Sequence, residues 1–332
     1  MDTLLPIYEK EIPPFLRRAA ETAPIQRLRG VGMNCGCEYT SFPRFADLKP
    51  YSRFDHSLGV ALITWHFTHD KTQAMAGLLH DVATPCFAHV VDFLRGDYLT
   101  QEATEAGARE RIEQAADLQA LLWEYGLFTD TVADCHRCPI VDNESPRLCA
   151  DRLEYTMGNL LNYSLRSLTD IVTYYCDLTY TKNESGSDEL AFRRTEVAES
   201  FALGALACSR IYVSAADRCA MQALAELLGF SLARGYIGEQ DLYGTEAALI
   251  RKLPQREWSA FRSLARIELS RIDRGGSWRR IAAKKRCIDP LVVGKGRLSF
   301  LSDAFSRELQ SFREQSQDDY MRAIPLQKEE QL

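Results

Sequence analysis

Four ligand-type side chains interrupt segments that otherwise read as apolar helix. His56 lies in SRFDHSLGVAL, His80 and Asp81 end QAMAGLLHD, and Asp151 falls in the first turns of RLCADRLEYTMGNLL. Apolar residues recur at helical spacing through all three segments. An imidazole beside a carboxylate in such a setting is costly to bury without a partner, and a cation removes that cost. Two imidazoles and two carboxylates suit one divalent metal ion per chain and leave positions open for water and a substrate oxygen. Mn, Fe, Zn, Ni and Mg all remain open as the ion. The chain must therefore fold so that helices far apart in sequence turn these four residues toward one centre.

The rest of the chain predicts a mainly α protein with a small β-hairpin and a mixed C-terminal part. PFLRRAAETAPIQRLRG reads as two short helices broken at Ala23-Pro24, and a loop with Pro43 and Pro50 follows. Helical patterns run from Phe54 to Phe67, Thr72 to Val82, Phe87 to Arg95 and Glu102 to Tyr125, surrounding the first three ligands. Helical patterns return from Thr195 to Leu228 and from Gly244 to Leu253. Between 177 and 194, two β-prone arms flank the turn-forming NESGSD, a hairpin signal. IDPLVV reads as a strand entering the Gly-rich VGKGR turn, and the polar tail from about Gln315 is expected to fray. With no repeat and no Gly/Ser linker, the division is a core over 1–255 and an extension over 256–332 packed on it.

Composition excludes some roles. No run of about 18 uncharged apolar residues occurs, and MDTLLPIYEKEIPPF lacks a basic start and an apolar signal core, so no membrane role and a cytoplasmic location are expected. The ten cysteines are scattered, and reduced thiols are expected. Cys135 and Cys138 with His136 resemble half of a zinc site, but no second half has suitable spacing. The net charge of −6 weighs against a nucleic-acid coat, although Arg271 to Arg297 holds nine basic and two acidic residues and could meet phosphates.

Taken in order, IQRLRGVG, SRFDHSLGV, LLHDVATPCFAH, ADRLEYT and SRIYVSAADRCAMQALAELL resemble the deoxynucleoside triphosphate triphosphohydrolase branch of the HD-domain phosphohydrolase superfamily, over roughly residues 20 to 255. The resemblance implies a helical HD-domain fold with a metal in a central cleft, held by His56, His80, Asp81 and Asp151. It implies phosphate contacts at Arg53, His89, Arg152 and Arg210, and a substrate-pocket tyrosine at Tyr155. It also implies a phosphorylated small-molecule substrate of nucleotide type and a homo-oligomer.

This sequence departs from that pattern in the acid-donating and sugar-reading parts. Gln101 stands where the branch has a proton-donating His, with Glu102 kept beside it. Thr84 replaces a phosphate-side His, Met33 and Asn34 replace a sugar-reading pair, and Asn159 replaces an Asp near the sugar. The expected activity is metal-assisted water attack at phosphorus, with Arg53, Arg152, His89 and Glu102 as catalytic groups and Met33, Asn34, Gln101, Tyr155, Asn159 and Arg210 around the substrate. The alternative is a nucleotide-binding regulator with weak or no turnover, since loss of a general acid slows reactions by about 10²–10⁴-fold. An oxidative two-metal enzyme would need further His ligands between Asp81 and Asp151, where only His89 and His136 occur.

Overall fold

A computed structural model of the chain describes residues 3–96 and 107–326, so Gln101 and Glu102 lie outside the described residues. The protein is mainly α, with small sheets built from short strands. The helix Arg53–Thr68 starts at a capping box: Ser52 Oγ accepts from the Asp55 amide while the Asp55 carboxylate accepts from the Ser52 amide. Its neighbour Lys71–Leu79 is capped by Asp70, which accepts from the Thr72 and Gln73 amides. The two helices approach closely at Gly77, where a Cβ would lie 3.3 Å from Val60 and 3.4 Å from the Ala61 backbone.

A third helix, Ala150–Asn162, packs on Arg53–Thr68. Gly59 makes room for it, since a Cβ there would lie 2.6 Å from Glu154 Cγ. Gly158 plays the same part against Tyr51, whose hydroxyl would be 2.6 Å from an added Cβ. The helices Thr195–Tyr212 and Ala215–Ala233 follow, separated by the Ser214 cap, whose hydroxyl accepts from the Asp217 amide. Apolar side chains gather in two cores. One contains Leu62, Leu79, Leu153 and Phe201. The other contains Phe87, Leu224, Trp258 and Met321.

The hairpin forms as β1 (Leu178–Lys182) and β2 (Asp188–Phe192). Its turn is held by Asn183, whose side-chain oxygen accepts from the Ser185 and Ser187 amides, and Gly186 supplies φ +81°. Next come β3 (Leu264–Ser270), β4 (Arg279–Arg280), β5 (Leu291–Val292), β6 (Gly296–Arg297) and β7 (Tyr320–Pro325). One sheet has the order β1-β2-β5-β6, with β2 and β5 parallel, and the other has the order β3-β7-β4. The residues after 255 thus share a sheet with the hairpin.

Two sequence expectations are corrected. The tail does not fray from Gln315: its β7 is the central strand of a sheet, and Met321 is fully buried. Backbone pairing with β3 and β4 supplies what its polar composition hides. The helical pattern ending at Tyr125 is two helices, Ala108–Gln114 and Ala116–Glu124, broken at the extended Ala115. The Ile112 carbonyl at the break accepts both from the Ala115 amide and from Gln119 Nε2, which reaches back across it.

Arg297 ties the hairpin to the C-terminal residues, donating to Glu184, to the fully buried Glu189 and to the Asp289 carbonyl. Replacing it with Met should lower stability in urea unfolding by about 3 kcal/mol, because a buried carboxylate loses its cation. A loss below about 0.5 kcal/mol, the scale of ordinary surface substitutions, would show that Glu189 is solvated by other means.

Candidate metal centre

Each ligand comes from a different helix. His56 is in the second turn of Arg53–Thr68, His80 caps Lys71–Leu79, and Asp151 opens Ala150–Asn162. Their donor atoms converge: His56 Nε2 lies 3.2 Å from His80 Nε2 and 3.0 Å from Asp151 Oδ1, and His80 Nε2 lies 3.6 Å from the same oxygen. The other ring nitrogens are engaged behind. His56 Nδ1 is 2.6 Å from Glu154 Oε2, and His80 Nδ1 is 2.7 Å from the Gly77 carbonyl. A carbonyl and a carboxylate accept, so each Nδ1 is assigned the proton and each Nε2 presents a lone pair.

Three lone-pair donors therefore face one point, which fits a cation. Metal-to-donor distances of about 2.0–2.2 Å accommodate these separations around one ion. Asp81 stands at the edge of the group. Its Oδ2 is 3.6 Å from His80 Nε2 and 3.8 Å from His56 Nε2 but only 2.7 Å from Arg53 Nη1, while its Oδ1 accepts from Thr84 Oγ1 at 2.7 Å. Thr84 thus steadies a carboxylate.

The electrostatics follow from burial and charge. Burial works against ionising Asp151, but hydrogen bonds from His56 and His80 outweigh it and hold its carboxyl well below the usual range. Burial would likewise lower His56, yet hydrogen bonds to Asp151 and Glu154 lift it to about 10. Glu154 is itself buried and accepts from the Tyr51 hydroxyl, with the Tyr8 hydroxyl at 3.4 Å. This carboxylate fixes the tautomer and the angle of the His56 ring, the usual support of a metal-binding imidazole.

The donors open into a cavity of about 220 Å³. Of the residues expected around the substrate, Met33, Asn34, Arg53, His89, Tyr155 and Asn159 line it. Arg152 does not. It braces the preceding loop, donating to the Arg147 carbonyl at 2.8 Å and to Asn143, with Asp142 at 3.2 Å. Arg210 is also turned away, pairing with Glu308 at 2.7 Å. In both cases a nearby carboxylate or carbonyl is the closer partner for the guanidinium. Cys135, His136 and Asp142 form a separate ligand-type group, and Cys138 is buried in the helical core, so the two cysteines do not act as a pair.

Sequence reading missed Glu154, Tyr212, Asp217 and Arg286 at or behind this cavity. Glu154 had a signal: it follows Asp151 by three residues, one turn along the same helix face. Arg286 sits in the basic stretch already noted, but nothing in that stretch distinguishes it from its neighbours.

No family model matches the chain. It is similar to the uncharacterized protein YdhJ of Bacillus subtilis, 27% identical over 169 residues, which is 50% of this chain and 49% of that protein. It is also similar to the metal-dependent phosphohydrolase cns2 of Cordyceps militaris, 26% identical over 170 residues, 49% of this chain and 46% of that protein. The chain spans about half the length of these curated relatives. The relative's name and the His/Asp donors together support a divalent metal and hydrolase activity in general. Among the described residues, no helix is long and apolar enough to cross a membrane.

His80→Ala and Asp151→Ala should each reduce metal content, read by elemental analysis, to a small fraction of the wild-type value. Glu154→Ala keeps all three donors but frees the His56 ring, and should weaken metal affinity by roughly 10–100-fold. Full metal occupancy in His80→Ala would exclude this centre.

Proposed function

We propose that the protein is a metal-dependent phosphohydrolase that cleaves a phosphate ester whose leaving group is nucleoside-like. The observation that carries this reading is the convergence of His56, His80 and Asp151 lone pairs beside the Arg53 guanidinium at the floor of a cavity. These three residues, with Asp81 beside them, would hold the ion. When bound, such an ion supplies Lewis acidity and makes a water acidic enough to attack phosphorus at neutral pH.

The chain's own groups do the rest. Arg53 is buried against Asp81 and holds a fixed positive charge next to the centre, where it offsets charge building on phosphoryl oxygens. His89 is kept neutral, since burial pushes it down to about 4, and Nδ1 is 2.9 Å from Asp92. Tyr155, Tyr163, Tyr212 and Met221 supply an apolar wall for the flat face of a leaving group. Asn159 donates to the Tyr212 hydroxyl at 2.7 Å, and its Oδ1 is buried without a partner. That oxygen suits a hydroxyl donor on the substrate. A departing alkoxide needs a proton, which Gln101 cannot give as an acid; Glu102 is the carboxyl beside it in sequence.

The test is a screen of phosphorylated metabolites with metal-reconstituted protein, reading phosphate, pyrophosphate and triphosphate separately. At least one ester should be cleaved, with activity lost on chelation, restored by a divalent ion and absent in His80→Ala. Tight nucleotide binding with no cleavage of any ester would instead support the regulatory alternative that Gln101 raises.

A further inference from the structure

The cavity's second cation comes from the far end of the chain. Residues 281–289 have no regular secondary structure, contribute Ala283, Lys284 and Arg286 to the cavity lining, and are held on both sides. The Ile281 carbonyl accepts from Arg218, and Ala283 exchanges two hydrogen bonds with the Gln317 side chain, at 2.6 and 3.0 Å. Lys285 Nζ donates to the Arg313 and Gln315 carbonyls, at 2.6 and 2.5 Å, and the Asp289 amide donates to the Pro146 carbonyl at 2.9 Å. With its backbone so fixed, Arg286 turns its side chain into the cavity, where Nη2 lies 3.4 Å from His89 Nε2. Asp92 holds the far side of that ring, so the imidazole offers its lone pair and orients the guanidinium. Among the described residues, no carboxylate forms an ion pair with Arg286.

The cavity's other charges are committed. Arg53 belongs to Asp81, Asp142 is held by Arg152, and Asp151 belongs to the metal centre. Asp217 adds a buried carboxyl group on the wall, pushed up to about 7 by burial. Among the described residues, the cationic side chains lining the cavity are Arg53, Lys284 and Arg286, and Lys284 is itself engaged. A phosphoryl oxygen is a strong acceptor for a guanidinium that has no ion pair of its own.

Resting on the phosphohydrolase reading above, we infer that Arg286 is the phosphate clamp of this cavity. The C-terminal segment thereby completes the substrate site, in place of Arg152 and Arg210.

The test uses the whole chain loaded with metal, and calorimetric binding of inorganic phosphate. Phosphate should bind, and Arg286→Ala should weaken it about 10–100-fold, the worth of a charge-assisted hydrogen bond, with Arg286→Lys in between. Arg271→Ala, which removes an exposed cation of the same basic stretch, should leave it unchanged. Unaltered metal content and melting temperature would show that the variants are intact. In kinetics, Arg286→Ala should raise KM for a nucleoside monophosphate by the same factor. Equal phosphate affinity in wild type and Arg286→Ala overturns the clamp. Arg286-dependent phosphate binding with no ester cleaved by the wild-type protein upholds the clamp and removes the phosphohydrolase reading instead.

Discussion

Two imidazole nitrogens facing each other at 3.2 Å, with a carboxylate oxygen 3.0 Å from one of them, make an arrangement that needs a positive charge at its centre. Much of the surrounding structure serves to keep it so. Glu154 and the Gly77 carbonyl occupy the two Nδ1 positions and leave both Nε2 lone pairs pointing inward. Gly59 has no side chain because Glu154 fills that space, and Gly77 allows the helices bearing His56 and His80 to pack closely. Small residues at the helix contacts and a buried carboxylate behind the ring are thus two parts of one requirement: the donors must not relax apart when no ion holds them.

Around this centre, arginines act by where their nearest acceptors lie. Arg53 has a carboxylate inside the cavity and stays there. Arg152 has the Asn143 and Arg147 carbonyls beside it and becomes a brace for the loop that delivers Asp151. Arg210 has Glu308 across a helix contact and faces outward. Arg286 meets a neutral imidazole and, among the described residues, forms no ion pair, so its charge faces the cavity. The C-terminal sheet matters for this reason. Pairing of β7 with β3 and β4 in that sheet, and of β5 with β2 in the other, anchors both flanks of the segment that carries Arg286.

The sequence alone was sufficient for features that depend on near neighbours. The hairpin turn at Asn183 to Ser187 and the helical setting of His56, His80 and Asp151 are both written within a few residues. The convergence of those donors also follows, because ligand-type residues on buried helix faces need a shared partner. Glu154 was within reach too, one turn beyond Asp151.

Tertiary structure alone decided matters that depend on which of several partners lies nearest. A guanidinium is compatible with any carboxylate or carbonyl the fold brings up, so the sequence could not show that Arg152 and Arg210 would turn from the cavity while Arg286 turned in. Nor could it show that a polar tail becomes a central strand, since strand pairing is made by backbone groups that every residue carries. Local spacing determined the helices and the metal-type donors; the long-range return of the C-terminal segment determined which further positive charge lines the cavity, because side-chain electrostatics is set by distance in space and not along the chain.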